Sequence, residues 1–363
     1  MTTFSAEARF ELKGARAVID DMCEHLRSHG VAIDRSGDRT VLTLYHGTSE
    51  IAVEGDNALL KVEAPSLTGI AVLTETLASH FIEHFPDLAD RIVWSGAAGE
   101  PAHPVWFCLL TVVGTRRLTP HMQRITFEGS DLGRYSGFGD IHMRLMFPRD
   151  DDGAPQWPRV SPNGVTQYPP EDTLAIRKYT YRRIDVAAGT LDVDFVLHED
   201  AGPGSDFAFR AKPGTVIGMG GPGGRCAPPD RDWYLLAGDE TALPAIARIL
   251  ETLPRTARGV ALIEVADAAE EQPIINRTGI DIRWLHRDDA APGTTTLLID
   301  AVRAVEFPSD GSSVFAWGGC EFAAFKAIRS YARNERMLKK DESLIVSYWQ
   351  RADTEDAENE HDH

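Results

Sequence analysis

The chain has 363 residues, 43% of them hydrophobic and 25% charged, and its formal net charge is −18. This length predicts two or three domains with enough apolar residues for several cores. The negative charge excludes general nucleic-acid binding and docking on an anionic membrane surface, because both need a basic footprint. We expect a cytoplasmic protein, since neither a membrane-spanning apolar run nor a signal-peptide pattern is found and the four cysteines form no CxxC pair.

Residues 1–98 are predicted to form a small α+β domain of unknown function. Helical spacing of apolar residues predicts helices over Gly14–His29 and Leu67–Phe85, and alternation predicts strands over Thr40–Tyr45 and Ala58–Glu63. The small and proline-rich residues of Ser95–Pro104 predict a linker to the next domain.

Two histidine pairs stand out in this first domain, His25 with His29 and His80 with His84. Residues four apart lie on one face of a helix, as two metal ligands must. The four histidines could therefore form a metal site. Histidines on helices are more often ordinary surface residues, and no carboxylate or cysteine accompanies these in a ligand pattern, so we assign no metal.

Residues 104–228 are predicted to form an antiparallel β-barrel. Short strands follow one another without long helices between them, which is typical of that architecture. The predicted strands are Trp106–Val113, Gln123–Glu128, Ile141–Phe147, Lys178–Asp185, Leu191–Leu197 and Val216–Met219. The polar, proline-rich stretch Pro148–Pro170 is predicted to be a long surface loop.

Residues 229–350 are predicted to form a doubly wound parallel sheet, because strand and helix patterns alternate. The predicted strands are Trp233–Ala237, Gly259–Val265, Ile280–Leu285, Ser313–Trp317 and an edge strand Leu344–Trp349. Helices are predicted over Leu243–Leu253, Thr296–Ala304 and Phe322–Arg333. The acidic residues 351–363 are predicted to be a disordered tail.

A first chemical motif, RKYTYR, runs from Arg177 to Arg182 on a barrel strand. Alternation places Arg177, Tyr179 and Tyr181 on one face of the strand and the other residues on the opposite face. A flavin needs an aromatic wall, a hydroxyl for its polar edge and a cation for its phosphates, which Tyr179, Thr180 and Arg182 would supply. The alternative is an amphipathic strand with solvated arginines.

A second motif, HEDAGPGSDF, starts at His198 directly after a predicted strand. Gly202 and Gly204 allow close backbone approach, and Ser205 is a helix-capping type. Exposed amides at such a helix start attract a pyrophosphate group. A Gly-Pro turn that only caps a short helix is the alternative.

A third motif, GDETALPAI, begins at Gly238 where the first strand of the parallel sheet ends. Nucleotides bind at this position in α/β sheets. The motif has a single glycine and is not the GxGxxG pattern, but Thr241 and the helix amides after it could meet a cofactor phosphate.

Together these motifs resemble the siderophore-interacting protein family, FAD-dependent ferric-siderophore reductases related to ferredoxin reductases. The resemblance runs from about Val105 to Trp349 and includes TRRLTPHMQR from Thr115, IHMRLMFP from Ile141, WGGCE from Trp317 and the final Tyr348 and Trp349. It implies FAD binding by Arg177, Tyr179, Thr180, Arg182, His198, Gly202, Gly204 and Ser205. It implies a site for NADH or NADPH at Gly238, Asp239, Glu240, Thr241, Ala242, Glu321 and Trp349.

The chain departs from the family at two positions. Phe207 stands where members often have tryptophan, and Arg144 stands where they usually have lysine, which puts the substrate role of Arg144 in doubt. With Arg177 and Lys212, Arg144 is a candidate for a basic pocket that draws an anionic iron chelate to the flavin.

The leading functional hypothesis is a reductase that takes electrons from NAD(P)H and reduces ferric siderophores. An acidic residue at the second strand end, Glu264, favours NADH slightly, although Arg287 or Arg329 could approach it. Reduced ferredoxin is an alternative donor. The rival hypotheses are a general flavin reductase or diaphorase, and a flavin-containing protein that binds siderophores without turnover.

Overall fold

The computed structural model describes residues 3–28, 31–97, 103–137, 139–149, 154–198 and 202–351. The chain forms two compact units, one of Met1–Phe107 with Pro148–Leu174 and one of Cys108–Phe147 with Ala175–His363. Part of the predicted linker, residues 98–102, and residues 352–363 of the predicted tail lie outside the described residues. None of the described helices is both long and apolar enough to cross a lipid bilayer.

The first unit contains a six-stranded sheet whose strand order is β2-β3-β4-β5-β1-β6. The strands are Phe4–Glu11 (β1), Ala32–Ser36 (β2), Arg39–Leu44 (β3), Gly47–Glu54 (β4), Asn57–Ala64 (β5) and Ser95–Gly96 (β6), and the helices are Ala15–Ser28 (α1) and Leu67–His84 (α2). The predicted elements are all present, but the longer strands β1 and β4 had been missed. In β1 two of the inward positions, Ala6 and Ala8, are alanines, which give a weak hydrophobic alternation.

The segment 148–174 belongs to the first unit and is more than the surface loop that was predicted. It contains a small two-stranded sheet, Arg159–Val160 (β10) with Thr166–Gln167 (β11). Its buried Asn163 donates a hydrogen bond from Nδ2 to the Ala89 carbonyl oxygen at 2.8 Å and accepts one at its own carbonyl oxygen from Trp94 Nε1 at 2.8 Å. The predicted domain boundaries had placed this segment with the barrel. Its Val165 packs on the core of the first sheet.

The second unit begins with a closed antiparallel barrel, as predicted, whose strand order is β12-β13-β8-β7-β14-β9. Its strands are Phe107–Thr119 (β7), Met122–Gly129 (β8), Asp140–Pro148 (β9), Leu174–Asp185 (β12), Thr190–Val196 (β13) and Val216–Arg225 (β14). A short helix, Pro203–Arg210 (α3), follows β13. Phe127, Tyr181 and Phe195 fill the barrel core.

The rest of the second unit is a five-stranded parallel sheet with the order β17-β16-β15-β18-β19, which confirms the doubly wound prediction. The strands are Trp233–Gly238 (β15), Arg258–Val265 (β16), Gly279–His286 (β17), Val314–Glu321 (β18) and Ser343–Trp349 (β19), and the helices are Leu243–Thr252 (α4), Leu297–Arg303 (α5) and Phe322–Ser330 (α6). The strand order reverses between β15 and β18. At such a switch point the carboxyl ends of the strands open a ligand crevice.

Polar contacts join the barrel to the parallel sheet. Buried Glu270, after β16, accepts hydrogen bonds from the Thr119 hydroxyl at 2.5 Å and from the His121 backbone N–H at 2.9 Å. The Arg248 guanidinium of α4 lies 4.2 Å from the centroid of the Tyr181 ring. Because these groups come from both parts, the barrel strands and the carboxyl edge of the sheet are held in one arrangement.

Candidate functional site

Strand β12 carries the first motif, and both of its faces are covered at Thr180 and Tyr181. Arg177 is exposed and Tyr179 half-buried, but Thr180 and Tyr181 are both buried in succession. The register with β13 shifts between Tyr181 and Arg183, which marks a β-bulge. Tyr179 and Tyr181 pack with the barrel core, whereas Thr180 lies beside Tyr348 of β19. The predicted faces are thus kept from Tyr179 to Tyr181, and the bulge follows them.

The Tyr179 ring packs between the barrel and the start of α3. Its centroid lies 4.5 Å from that of Phe195. A Cβ atom on Gly204 would lie 1.9 Å from the Tyr179 hydroxyl oxygen, so glycine is required there. Gly202 caps α3 without a side-chain hydrogen bond and Pro203 has no N–H. The Gly204 and Ser205 amides are thus the first N–H groups of a helix that no side chain caps.

The loop that precedes α3 is closed by Ser205. Its buried hydroxyl accepts a hydrogen bond from the His198 backbone N–H at 3.1 Å, while the His198 side chain is exposed. The intervening residues 199–201 lie outside the described residues. The Ser205 hydroxyl therefore already has a protein partner.

These groups fit the requirements of FAD. Uncapped helix amides suit a pyrophosphate, and an exposed arginine on the neighbouring strand adds positive charge. The Arg177 hydrogen bond that the structure shows goes to the adjacent Ile176 carbonyl oxygen, which leaves most of its five donors for a ligand. Arg177 and the helix start would hold the phosphates, and Tyr179 would support the ring.

Asp239 organises the carboxyl edge of the parallel sheet. Its buried carboxylate accepts hydrogen bonds from the Thr241 amide and hydroxyl at 3.0 and 2.5 Å, the Glu321 amide at 3.1 Å and Trp349 Nε1 at 2.8 Å. Burial raises the pKa of Asp239 and these hydrogen bonds oppose the rise. The predicted nicotinamide-site residues are thus brought together. The Thr241 amide and hydroxyl, however, already donate hydrogen bonds to the Asp239 carboxylate.

A buried charge cluster lies beside Asp239. The Arg287 guanidinium pairs with Glu240 and lies 3.9 Å from a Glu264 carboxylate oxygen. Burial raises the pKa of both glutamates, and the positive charge of Arg287 opposes that rise. Arg287 Nε is buried and has no hydrogen-bond partner among the described residues. Arg287 thus lies beside Glu264, as the sequence allowed, and is shared between two carboxylates.

The remaining predicted residues lie elsewhere. Arg182 forms a bidentate ion pair with Glu251 of α4, with N–O distances of 2.5 and 2.9 Å, and so is not free to bind phosphate. It lines a cavity of about 300 Å³ with Arg116 and Arg124. Arg144 on β9 and Lys212 after α3 are both exposed, and their place in a basic pocket stays a prediction.

Sequence reasoning gave His142 no role. Its Nε2 atom lies 2.6 Å from the Tyr348 hydroxyl oxygen, across 206 positions of sequence. Thr180 is another polar neighbour of that hydroxyl. The motifs that resemble the family contain His142 and Tyr348, but no spacing rule could have paired these two residues.

The histidine pairs of the first domain do not assemble a metal site in the part of the chain that the structure describes. The His25 and His80 rings lie 5.6 Å apart, and His84 Nε2 lies 3.4 Å from an Asp21 carboxylate oxygen. Among the described residues no group of three candidate ligands could hold a metal ion. His29 lies outside the described residues.

Two family profiles match adjacent parts of the second unit. The profile of the siderophore-interacting FAD-binding domain matches residues 111–226, and that of the siderophore-interacting protein family matches residues 231–352. Residues 1–110 lie outside both matches.

Characterised relatives match over the same region. Ferric vibriobactin reductase ViuB of Vibrio cholerae is 32% identical over 263 residues, which cover 70% of this chain and 93% of that protein. The NADPH-dependent ferric-chelate reductase of Escherichia coli is 32% identical over 248 residues, 66% of this chain and 91% of that protein. The crystal structure of a siderophore utilization protein from T. fusca is similar with a TM-score of 0.62 and 41% identity, covering 70% of this chain and 97% of that one.

Proposed function

Because the chain belongs to the siderophore-interacting protein family, we propose that it is an FAD-dependent reductase that passes electrons from NAD(P)H to ferric siderophores and releases Fe(II) in the cytoplasm. One observation carries the proposal: the start of α3 has no side-chain cap and lies beside Tyr179. Tyr179 and Arg177 are on the same barrel strand, β12. The names of the relatives from V. cholerae and E. coli support the acceptor, a ferric chelate.

The barrel residues divide the binding of FAD between them. Arg177 and the Gly204 and Ser205 amides neutralise the pyrophosphate, since both present N–H donors and positive electrostatic potential. Tyr179 forms the wall on which the ring rests. The buried Thr180 hydroxyl, beside Tyr348 of β19, would serve the polar edge of the ring.

The nicotinamide cofactor binds at the switch point of the parallel sheet. Asp239 positions the loop after β15, the start of α6 and the end of β19 through the hydrogen bonds that it accepts. When bound, FAD accepts two electrons as hydride and returns them singly, which matches an iron substrate. Reduction of Fe(III) lowers the charge of the ion and weakens its hold on hard oxygen ligands.

One observation favours NADPH over NADH as the donor. The E. coli relative is named for NADPH.

An anaerobic titration tests the proposal. Purified protein should be yellow, NADPH should bleach it at lower concentration than NADH, and a ferric siderophore should restore the colour while Fe(II) appears in a chelator trap. Bleaching with reoxidation by quinones but not by ferric siderophores would identify a diaphorase. A yellow protein that neither nucleotide bleaches would point to a siderophore-binding protein or to a ferredoxin-fed enzyme.

A further inference from the structure

Three side chains meet at the seam between the barrel and the edge of the parallel sheet. His142 comes from β9, Thr180 from β12 and Tyr348 from β19. His142 Nε2 and the Tyr348 hydroxyl oxygen are 2.6 Å apart, and Thr180 is a further polar group beside that hydroxyl. The hydrogen bond between His142 and Tyr348 therefore joins β9 to β19, and Thr180 of β12 lies beside the Tyr348 hydroxyl.

The surroundings hold both rings in place. A Cβ atom on Gly224, whose φ is +71°, would lie 2.2 Å from His142 Nδ1, and one on Gly319 would lie 2.8 Å from the Tyr348 ring. The Trp317 ring meets Tyr348 edge-on with 6.3 Å between centroids. Gly224 is exposed, so the Nδ1 side of His142 faces the surface while its Nε2 side faces Tyr348.

Both rings are neutral near pH 7. Burial, and then the charge of Lys178, lowers the pKa of His142 to about 4. Burial raises the pKa of Tyr348, the charge of Asp239 raises it further, and a hydrogen bond from Thr180 opposes the rise. A neutral imidazole has one N–H and one lone pair, and a phenol has one O–H and lone pairs. The pair can therefore pass a proton along without holding a net charge.

The proposed reaction requires a path for one proton. A hydride from the nicotinamide is equivalent to one proton and two electrons. Two Fe(III) ions take one electron each, so NAD(P)H and two Fe(III) give NAD(P)⁺, two Fe(II) and one H⁺. The neighbouring carboxylates are already engaged, Asp239 by hydrogen bonds and Glu240 by Arg287.

We propose that Tyr348 and His142 carry this proton from the Thr180 hydroxyl to solvent beside Gly224. The proposal rests on the proposed function and assigns to two further residues a role in that reaction. They act through Thr180 and are proton-transfer groups rather than contacts of the cofactor.

The test compares Tyr348→Phe, His142→Gln and the double variant with Tyr331→Phe, which removes a hydroxyl at the end of α6. FAD affinity is measured first, by fluorescence titration, and should be unchanged in all of them. Reoxidation of the prereduced protein by a ferric siderophore is then followed by stopped flow in H₂O and D₂O. We expect reoxidation to slow about tenfold or more in each single variant and to lose its wild-type solvent isotope effect, while Tyr331→Phe behaves as wild type.

Two further readouts separate a proton path from a structural role. If both groups lie on one path, the double variant should be no slower than the slower single variant. Added imidazole should restore the rate of His142→Ala. Wild-type rates in the single variants, or loss of FAD from them, would overturn the proposal. A wild-type protein that does not reduce ferric siderophores would overturn the proposed function itself, and that failure is visible before any variant is made.

Discussion

At the scale of single residues, Gly204 decides whether Tyr179 can lie against the start of α3. The Tyr179 hydroxyl occupies the space that a side chain at position 204 would need. Sequence alone predicted a glycine with close backbone approach to a ligand. In the structure, the close neighbour of Gly204 is Tyr179, the proposed wall for the flavin ring. The start of α3 and that wall are therefore in direct contact.

Gly204→Ala should therefore weaken FAD binding by about tenfold or more, because a Cβ at 1.9 Å must push the Tyr179 ring aside. The same overlap should lower the free energy of unfolding by about 1–3 kcal/mol. Gly114→Ala is the control, since an added Cβ there meets nothing within 4 Å. Equal FAD affinity in both variants would contradict this reading of Gly204.

His142 makes a second prediction, about acid stability. Its pKa falls to about 4 from an ordinary value of 6.5 because the folded protein buries it. The unfolded chain takes up a proton below its ordinary pKa and the folded chain does not. Stability from this group is therefore complete above about pH 6.5 and is lost as the pH falls towards 4, by up to about 3 kcal/mol.

We expect the melting temperature of the wild-type protein to fall more steeply with acidification than that of His142→Gln. The two curves should converge between about pH 6.5 and 4. Curves that stay parallel over this range would show that His142 is not held neutral by the fold.

At the scale of elements, the strength of the local pattern decided what the sequence could predict. The strands of the parallel sheet are apolar runs, and helix α2 repeats buried residues at helical spacing, so both were predicted. The bulge in β12 was not, because it arises from pairing with β13. The motif residues of the site were found, but not their partners. Asp239 and Trp349 are 110 positions apart, and only the folded chain brings them together.

The segment 148–174 gives a prediction at this scale. Asn163 is buried and bonds to Ala89, Trp94 and Val165. Asn163→Ala leaves the Ala89 carbonyl oxygen without this donor, which costs about 1–3 kcal/mol. Limited proteolysis should cut within 154–174 faster than in wild type. Asn334→Ala, which removes an exposed hydrogen bond to Ser330, should leave the cleavage rate unchanged; equal rates in the two variants would contradict the proposed anchoring.

At the scale of the whole molecule, the redox chemistry belongs to the region that the family profiles match. Residues 111–226 and 231–352 carry every residue of the proposed site. The N-terminal sheet lies outside these matches, yet its unit includes 148–174, the segment that connects β9 to β12. The strand that bears Arg177 therefore begins where the segment anchored on the N-terminal sheet ends.

The central claim is that β12 and the start of α3 hold FAD, and a titration of the FAD-free protein tests it most directly. Wild-type protein should bind one FAD per chain. Arg177→Ala should bind about 10- to 100-fold more weakly, because it loses charge-assisted hydrogen bonds worth roughly 1.5–3 kcal/mol. Arg183→Ala, an exposed arginine on the same strand, should bind as wild type does. Identical affinity in wild type and Arg177→Ala would contradict the account.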